Sequence, residues 1–167
     1  ILCALSNFWA MAGFRPAADI AEGFSALTGA EFADEIEHLE NGREGAIRAF
    51  FGRLMGLEAA ARERVLATVR DRISSTTDDE SQLWMRRLLE RYPDDIGVLA
   101  PMFLNVLKLA PGEAIYIPSG VLHAYIEGVG VELMANSDNV LRCGLTPKHV
   151  DVPELLNILD FEVSTID

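Results

Sequence analysis

The sequence predicts an α+β fold in which a helical region lies between two groups of strands. Between residues 16 and 102, apolar residues recur every three or four positions, which is the period of an amphipathic helix. On either side of that region, short apolar runs are bounded by proline and glycine, as in strands and their turns. With 50% hydrophobic and 24% charged residues, the 167-residue chain has the composition of an ordinary folded protein.

Residues 1–15 are predicted to be a strand segment. The segment is apolar, and it ends where Gly13 and Pro16 interrupt the pattern. Proline also restricts the residue before it, Arg15, to extended conformations. Because the chain begins inside an apolar run, with Ile1 rather than methionine, we expect it to be an internal segment of a longer protein.

Residues 16–102 are predicted to form an all-helical domain. Its clearest helix has an apolar residue at every fourth position and charged residues on the other faces. This apolar stripe consists of Leu57, Ala61, Val65, Val69 and Ile73. Shorter helices are predicted at residues 17–27, 31–39, 44–55 and 79–92.

Strands are predicted to resume at residue 103 and to continue to residue 140. Four apolar runs joined by turns that contain proline or glycine indicate a β-meander, in which consecutive strands pair. The runs are residues 105–109, 113–117, 122–126 and 129–134. Residues 141–167 then form a polar loop and a last helix, which opens near Asp151 with a capping residue and an early proline.

The net charge limits which partners the chain can bind, and the cysteine content indicates its cellular location. The net charge of −12 opposes binding to a nucleic-acid backbone or to an anionic membrane, because both are negative. No apolar run in the sequence approaches the roughly 20 residues of a membrane-spanning helix. The two cysteines, Cys3 and Cys143, lack metal or redox spacing, so a reducing, cytoplasmic location is predicted.

One histidine follows a tight turn in the second group of strands. Gly112, Pro118, Gly120 and His123 stand in the order G-x5-P-x-G-x2-H, which resembles the second conserved motif of the cupin superfamily of small β-barrels. Glu127 stands where many cupins have asparagine. Imidazole is a common zinc ligand, although a catalytic site needs about three protein ligands and this segment supplies one. A histidine that is hydrogen-bonded within a core is the alternative interpretation.

A polar segment then contains most of the positive charge of this region. Between residue 93 and the end of the chain the basic residues are Lys108, Arg142 and Lys148, and two of these three lie within residues 132–150. They are the cations available to meet a phosphate-bearing ligand. The alternative is a loop whose Asn and Asp side chains bond to their own backbone and whose cations are solvated.

These stretches resemble the mannose-6-phosphate isomerase family over nearly the whole chain, most strongly after residue 93. The runs that carry the resemblance are 111–114, 123–125, 130–132, 134–142 and 144–149, together with Gly13-Phe14-Arg15-Pro16 and Asp94-Asp95-Ile96-Gly97. The resemblance implies a metal-binding cupin, a jelly-roll β-barrel, into which the helical domain is inserted. Residues 141–167 then lead to a second cupin domain.

The resemblance also implies a site. Zn²⁺, one per full-length chain, would be the cofactor and a sugar phosphate the partner, with His123 as a metal ligand. Arg142 would be the active-site arginine, and Asp138, Glu132 and Lys148 fall where the family has polar residues of the pocket. Lys148 is expected to bind substrate, and either carboxylate could transfer protons. The family's other zinc ligands lie upstream of the position that matches Ile1.

The activity implied is the interconversion of mannose 6-phosphate and fructose 6-phosphate through an enediol, which serves mannose metabolism and GDP-mannose synthesis. The chain alone is expected to bind zinc weakly, to be inactive and to self-associate through exposed strand edges. Two alternatives remain: a cupin that binds sugar phosphates without catalysis, and an interaction module built on the helices.

Overall fold

The computed structural model describes residues 1–73, 79–136, 141–146 and 150–163 of the chain. Within these ranges the strands are β1 (Leu2–Ala4), β2 (Phe8–Phe14), β3 (Leu104–Leu109), β4 (Ala114–Ile115), β5 (His123–Glu127) and β6 (Gly130–Glu132). The α-helices are α1 (Ala17–Thr28), α2 (Ala33–Glu40), α3 (Ala46–Met55), α4 (Ala59–Arg72), α5 (Glu80–Arg91), α6 (Ala100–Phe103) and α7 (Val152–Ile158). Two 3₁₀ turns, Gly29–Phe32 and Ile96–Leu99, precede α2 and α6. The α+β fold class with helices between strands is confirmed.

The strands form two antiparallel sheets, with the orders β4-β1-β6 and β3-β2-β5. The predicted β-meander is therefore wrong. The central strand of each sheet comes from the start of the chain and pairs along both edges with later strands. Consecutive strands from β3 to β6 consequently alternate between the two sheets, which is how strands are distributed in a jelly roll.

The helices and the second sheet share one apolar core. Phe24 of α1 meets Phe50 of α3 edge-to-face, with ring centroids 4.6 Å apart. Phe14, at the end of β2, stacks on Phe103 with centroids 6.2 Å apart, and Phe103 in turn contacts Phe50. These four rings are all fully buried, so the end of β2 is fixed against the helices.

A smaller core lies between the two sheets. Leu2, Ala4 and Ile115 of the first sheet and Phe8, Ala10 and Leu109 of the second form this buried cluster. The second sheet therefore has helices on one face and the first sheet on the other. Among the described residues, no helix combines the length and the apolar character that crossing a membrane requires.

Tryptophan packing connects α5 to the outer part of the second sheet. The centroids of the Trp9 and Trp84 rings lie 5.4 Å apart, so the two side chains pack against each other. The Lys108 ammonium group lies 5.2 Å from the centre of the Trp9 ring, so this cation is engaged on β3. His38, on α2, contacts the Arg43 guanidinium group at 2.8 Å through Nε2.

Candidate metal and sugar-phosphate site

Strand β5 has one face toward the helices and one toward the space between the sheets. Ala124 and Ile126 pack against the helical core. Because successive strand residues point to opposite faces, His123 and Tyr125 lie on the other side. Tyr125 is paired with Ala10, which belongs to the core between the sheets. His123 therefore occupies the face that a ligand inside the barrel would meet.

The turn before His123 is held at several backbone positions. Gly120 has a φ of +85°, a conformation that favours glycine, and its carbonyl accepts a hydrogen bond of 2.9 Å from the Asp160 N–H. The Leu122 carbonyl accepts another of 2.9 Å from the N–H of Gly13, at the end of β2. The Pro/Gly motif thus forms a turn, as the sequence predicts, and the adjacent elements fix it.

A backbone hydrogen bond determines which nitrogen of His123 can bind a metal. Nδ1 lies 2.9 Å from the carbonyl oxygen of Val121. Because a carbonyl only accepts, Nδ1 must be the protonated nitrogen, and the lone pair of the neutral ring is then on Nε2. Metal-binding histidines usually donate their second N–H in this way, since the bond fixes the tautomer and the ring orientation. The geometry suits a ligand that binds through Nε2.

A tyrosine connects β5 to the predicted pocket residue Glu132. The Tyr125 hydroxyl donates a hydrogen bond of 2.6 Å to Glu132 Oε1. Burial, followed by this hydrogen bond and the carboxylate charge, raises the pKa of Tyr125 above its ordinary value. The phenol therefore stays protonated and keeps donating at neutral pH. Its ring also lies 5.7 Å from the His123 ring and 5.5 Å from Phe8, between centroids.

Arg142 lies in an irregular segment, residues 141–146, and its side chain is exposed. The neighbouring residues Leu141, Cys143 and Leu145 are half-buried and pack against the helical core. The Leu145 N–H donates a hydrogen bond of 2.6 Å to Asp95 Oδ2, in the connection between α5 and α6. The helical domain thus supports the backbone that carries the arginine.

Burial also affects the thiol beside Arg142. It raises the pKa of Cys143 to about 12, and the negative charge of Asp95 acts in the same direction. Cys143 and Cys3 are both free thiols and are both half-buried. A thiol of such high pKa is a poor nucleophile and a poor metal ligand at neutral pH. Cys143 therefore has a packing role.

The structure brings some of the predicted site residues together. His123 and Glu132 are connected through Tyr125, and Arg142 lies on a separate segment. Asp138 and Lys148 lie outside the described residues. Among the residues that are described, no three His, Cys, Asp or Glu side chains cluster as a metal site. His123 fits zinc as one ligand, and the remaining ligands would have to come from outside these ranges.

A cavity of about 660 Å³ lies away from β5, between the helices and the segment that follows Arg142. Arg62, Arg91, Asp94 and Asp95 line it on the helical side, and Cys143 lines it on the other. His123, Tyr125 and Glu132 are not among the lining residues. This cavity is therefore separate from the face that carries the candidate metal ligand.

Two residues that contribute to this arrangement were not among the predicted site residues. Tyr125 could have been found from the period of the strand, because it stands two positions after His123 and must share its face. Asp95 lies within the resemblance run Asp94-Asp95-Ile96-Gly97, but nothing in its local sequence indicates a contact with Leu145, fifty positions later.

Residues 25–104 match the model of the helical insertion domain of type I phosphomannose isomerase. The chain is also 40% identical over 163 residues to the mannose-6-phosphate isomerase of Salmonella typhimurium, covering 97% of this chain and 41% of that protein. Mannose-6-phosphate isomerase 2 of Arabidopsis thaliana is 35% identical over 178 residues, covering 98% and 40%. The chain thus spans about two fifths of the length of these relatives.

Solved structures of mannose 6-phosphate isomerase match the fold of this chain. The Salmonella typhimurium enzyme bound to fructose 6-phosphate and zinc matches with a TM-score of 0.88 and 38% identity, over 98% of this chain and 41% of that one. A zinc-bound crystal structure of mannose 6-phosphate isomerase matches with the same TM-score and identity. The chain is therefore similar in sequence and fold to part of the Salmonella typhimurium mannose-6-phosphate isomerase, and residues 25–104 match the helical insertion domain of the type I enzymes, as the resemblance predicted.

Proposed function

We propose that this chain forms part of a zinc-dependent aldose-ketose isomerase that interconverts mannose 6-phosphate and fructose 6-phosphate. The observation that carries the proposal is the His123 tautomer, in which Nε2 is available on the barrel-facing side of β5 beside the Tyr125–Glu132 pair. The relative that binds zinc and fructose 6-phosphate supports the choice of metal and substrate. The activity belongs to the full-length protein, because this chain spans only part of its relatives.

The reaction moves a carbonyl between C1 and C2 of the open-chain sugar. A base takes the proton from C2 of the aldose, an enediol forms, and a proton is then delivered to C1. Zinc, when bound through His123 Nε2 and ligands outside this chain, would polarise the carbonyl and hydroxyl oxygens of the sugar. Proton transfer by a side chain typically contributes about 10²–10⁴-fold to the rate.

Each remaining site residue has a proposed role. Arg142 would stabilise the negative charge that develops on oxygen as the enediol forms. Asp138 or Glu132 would carry the proton, and the Tyr125 hydroxyl would orient the Glu132 carboxylate. Lys148 would bind the substrate anion as a point charge. A cytoplasmic location and a contribution to GDP-mannose synthesis complete the proposal.

The proposed domain division follows the same reasoning. Residues 1–15 and 103–140 would supply strands of the metal-binding cupin domain, and residues 16–102 would form its helical insertion. Residues 141–167 would carry active-site groups and lead to a second cupin domain. The chain without the rest of the protein would bind zinc weakly and would not turn over substrate.

The test measures isomerase activity and bound zinc in the full-length protein and its variants. His123→Ala is expected to lose both zinc and activity, whereas His38→Ala, a histidine on the exposed face of α2, should lose neither. Arg142→Ala is expected to keep its zinc and to lose about 10²–10³-fold in kcat, as when one oxyanion-stabilising group is removed.

Two results would contradict these assignments. Full zinc content in His123→Ala would exclude this histidine as a ligand, and unchanged kcat in Arg142→Ala would exclude the arginine from the reaction. If the full-length protein binds mannose 6-phosphate but does not isomerise it, the non-catalytic cupin is the correct alternative. An interaction module predicts that the protein is indifferent to both zinc and the sugar.

A further inference from the structure

The Asp95 carboxylate joins two parts of the chain that are far apart in sequence. Oδ1 accepts a hydrogen bond of 2.8 Å from the Gly97 N–H, within the turn that precedes α6. Oδ2 accepts one of 2.6 Å from the Leu145 N–H, three residues after Arg142. Asp95 is half-buried, so both bonds are partly shielded from water. Hydrogen bonds to an ionised carboxylate are roughly twice as strong as neutral ones.

The backbone around this contact is shaped to allow it. A Cβ atom on Gly97 would lie 2.9 Å from Asp95 Oδ1 and 3.3 Å from the Leu145 nitrogen. A Cβ atom on Gly144 would lie 3.1 Å from the same oxygen and 3.3 Å from the Gly97 Cα. Both glycines are therefore needed for the close approach of the two segments. The segment that carries the arginine and the turn that carries the carboxylate meet with backbone against backbone.

Leu145 adopts a conformation that a leucine does not adopt by preference. Its φ is +56°, in the left-handed region, and no other non-glycine residue among those described has a positive φ. Such a conformation persists only where surrounding contacts fix it. Here the Asp95 bond fixes the N–H of Leu145, and its side chain packs against the helical core.

We propose that Asp95 is a positioning residue for Arg142. The Asp95 carboxylate fixes Leu145 on the helical domain. Arg142 stands only three residues before Leu145, and a stretch of that length can span at most about 10 Å. The Asp95 bond thereby limits where the Arg142 side chain can reach, so the helical insertion controls the geometry of the barrel's active site. This inference rests on the proposed isomerase function, in which Arg142 stabilises the reacting sugar.

The expected effect is on turnover rather than on binding. In the full-length, zinc-loaded enzyme, Asp95→Ala should lower kcat by about 10- to 100-fold, because small displacements of a positioned group cost rate steeply. The KM for mannose 6-phosphate and the zinc content should change less than about threefold. Asp94→Ala is the matched control, since among the described residues this exposed neighbour makes no hydrogen bond to residues 141–146.

A double-mutant cycle separates positioning from general destabilisation. If Asp95 acts through Arg142, then Asp95→Ala in an Arg142→Ala background should lower kcat by less than about twofold further. A full 10- to 100-fold additional loss in that background would overturn the proposal, as would a kcat for Asp95→Ala equal to that of Asp94→Ala. Unchanged kcat in Arg142→Ala alone would instead contradict the proposed function, so the two failures are distinguishable.

Alkylation of Cys143 provides a measurement that does not depend on activity. The thiol lies between Arg142 and the fixed backbone, and both burial and the Asp95 charge raise its pKa. Release of the segment should therefore increase the rate at which iodoacetamide labels Cys143 at pH 8 by about tenfold or more in Asp95→Ala. The rate in Asp94→Ala should not change. Equal rates in the two variants would show that Asp95 does not hold this segment.

Discussion

The Tyr125 hydroxyl donates a hydrogen bond of 2.6 Å to Glu132 Oε1, across the turn that joins β5 to β6. The two strands belong to different sheets, so this bond connects the sheets on the side where His123 lies. The Tyr125 hydroxyl thereby orients the Glu132 carboxylate. This donor stays protonated at neutral pH, since the pKa of Tyr125 is raised. Glu132, an exposed carboxylate at the end of β6, is consequently better oriented than it would be without this hydrogen bond.

Removing that donor should reduce the activity of the full-length enzyme. Tyr125→Phe keeps the ring contacts with His123 and Phe8 but loses the bond to Glu132. We expect kcat/KM for mannose 6-phosphate to fall by about tenfold, because a hydrogen bond to a charged group is worth about 1.5–3 kcal/mol and the carboxylate is partly solvated. Steady-state kinetics measure the change.

An exposed tyrosine provides the control for this substitution. Tyr116 is 63% exposed, and Tyr116→Phe removes a phenol hydroxyl that lies on the surface. Its kcat/KM should match that of the unmodified enzyme. If Tyr125→Phe behaves like Tyr116→Phe, the hydroxyl does not orient a group that takes part in the reaction.

The Cys143 thiol should react slowly with alkylating reagents. Its pKa is raised to about 12 from an ordinary value of 9.0, so at pH 8 the thiolate is populated about 1,000-fold less than in an unperturbed thiol. Because the folded protein holds this proton, the thiolate population should rise about tenfold per pH unit from pH 8 to 10. Iodoacetamide labelling followed by peptide mass spectrometry measures it.

The raised pKa of Cys143 also changes how the stability of the protein depends on pH. Between pH 9 and 12 the unfolded chain loses the Cys143 proton while the folded chain retains it, so this group lowers the free energy of unfolding as pH rises through that window. Below pH 9 both states are protonated and the group contributes nothing. A labelling rate that levels off near pH 9 would contradict both expectations.

Sequence periodicity predicted the helices well because their hydrogen bonds are local. The predicted helix at residues 57–73 corresponds to α4, Ala59–Arg72, and that at residues 44–55 corresponds to α3, Ala46–Met55. Apolar spacing reports which face of a helix is buried, and the core confirms those faces with Val65 and Val69. Segment ends differ by a few residues because capping contacts decide them.

Strand pairing was not predictable in the same way. Period-two patterns located β3 and β5, but the hydrogen bonds of a sheet join strands from opposite ends of the chain. Because consecutive strands often pair with each other, the sequence predicted a meander. In the structure, β1 and β2 instead occupy the central positions of the two sheets. The bond between Asp95 and Leu145 was missed for the same reason, since it depends on tertiary contact.

The isolated chain should self-associate. In the described structure β5 pairs only with β2 and β6 only with β1, which leaves the other edge of each strand open. Exposed apolar side chains lie near these edges: Leu5, Val129, Val131, Leu133 and Met134. Open edges with apolar flanks favour pairing between chains. Light scattering should give a mass that rises with concentration.

A charged edge residue tests this mechanism. Val131, on β6, is 50% exposed, and Val131→Lys should reduce association because lysine on an edge strand opposes pairing. The comparable change at an exposed helical position, Ala60→Lys on α4, should have no effect. A chain that stays monomeric at every concentration would show that these edges do not associate.

The turn between β5 and β6 should tolerate only glycine at position 128. Gly128 has a φ of +122°, and an added Cβ atom would lie 2.6 Å from the Asn7 carbonyl oxygen and 2.8 Å from the Phe8 Cα. These neighbours are backbone atoms, so they cannot move aside as a flexible side chain could. Backbone strain and overpacking together should lower the free energy of unfolding of Gly128→Ala by about 3 kcal/mol or more.

Gly42 separates the two contributions, because its φ of +58° is also left-handed but a Cβ atom there would meet nothing within 4 Å. Gly42→Ala should therefore cost only the conformational strain, about 1 kcal/mol, in urea unfolding of the full-length protein. Since Gly128 lies between Tyr125 and Glu132, its substitution should also separate that pair and lower kcat/KM, whereas Gly42→Ala should leave it unchanged. Equal stability of the two variants would mean that β5 and β6 do not approach the Asn7–Phe8 backbone as closely as described.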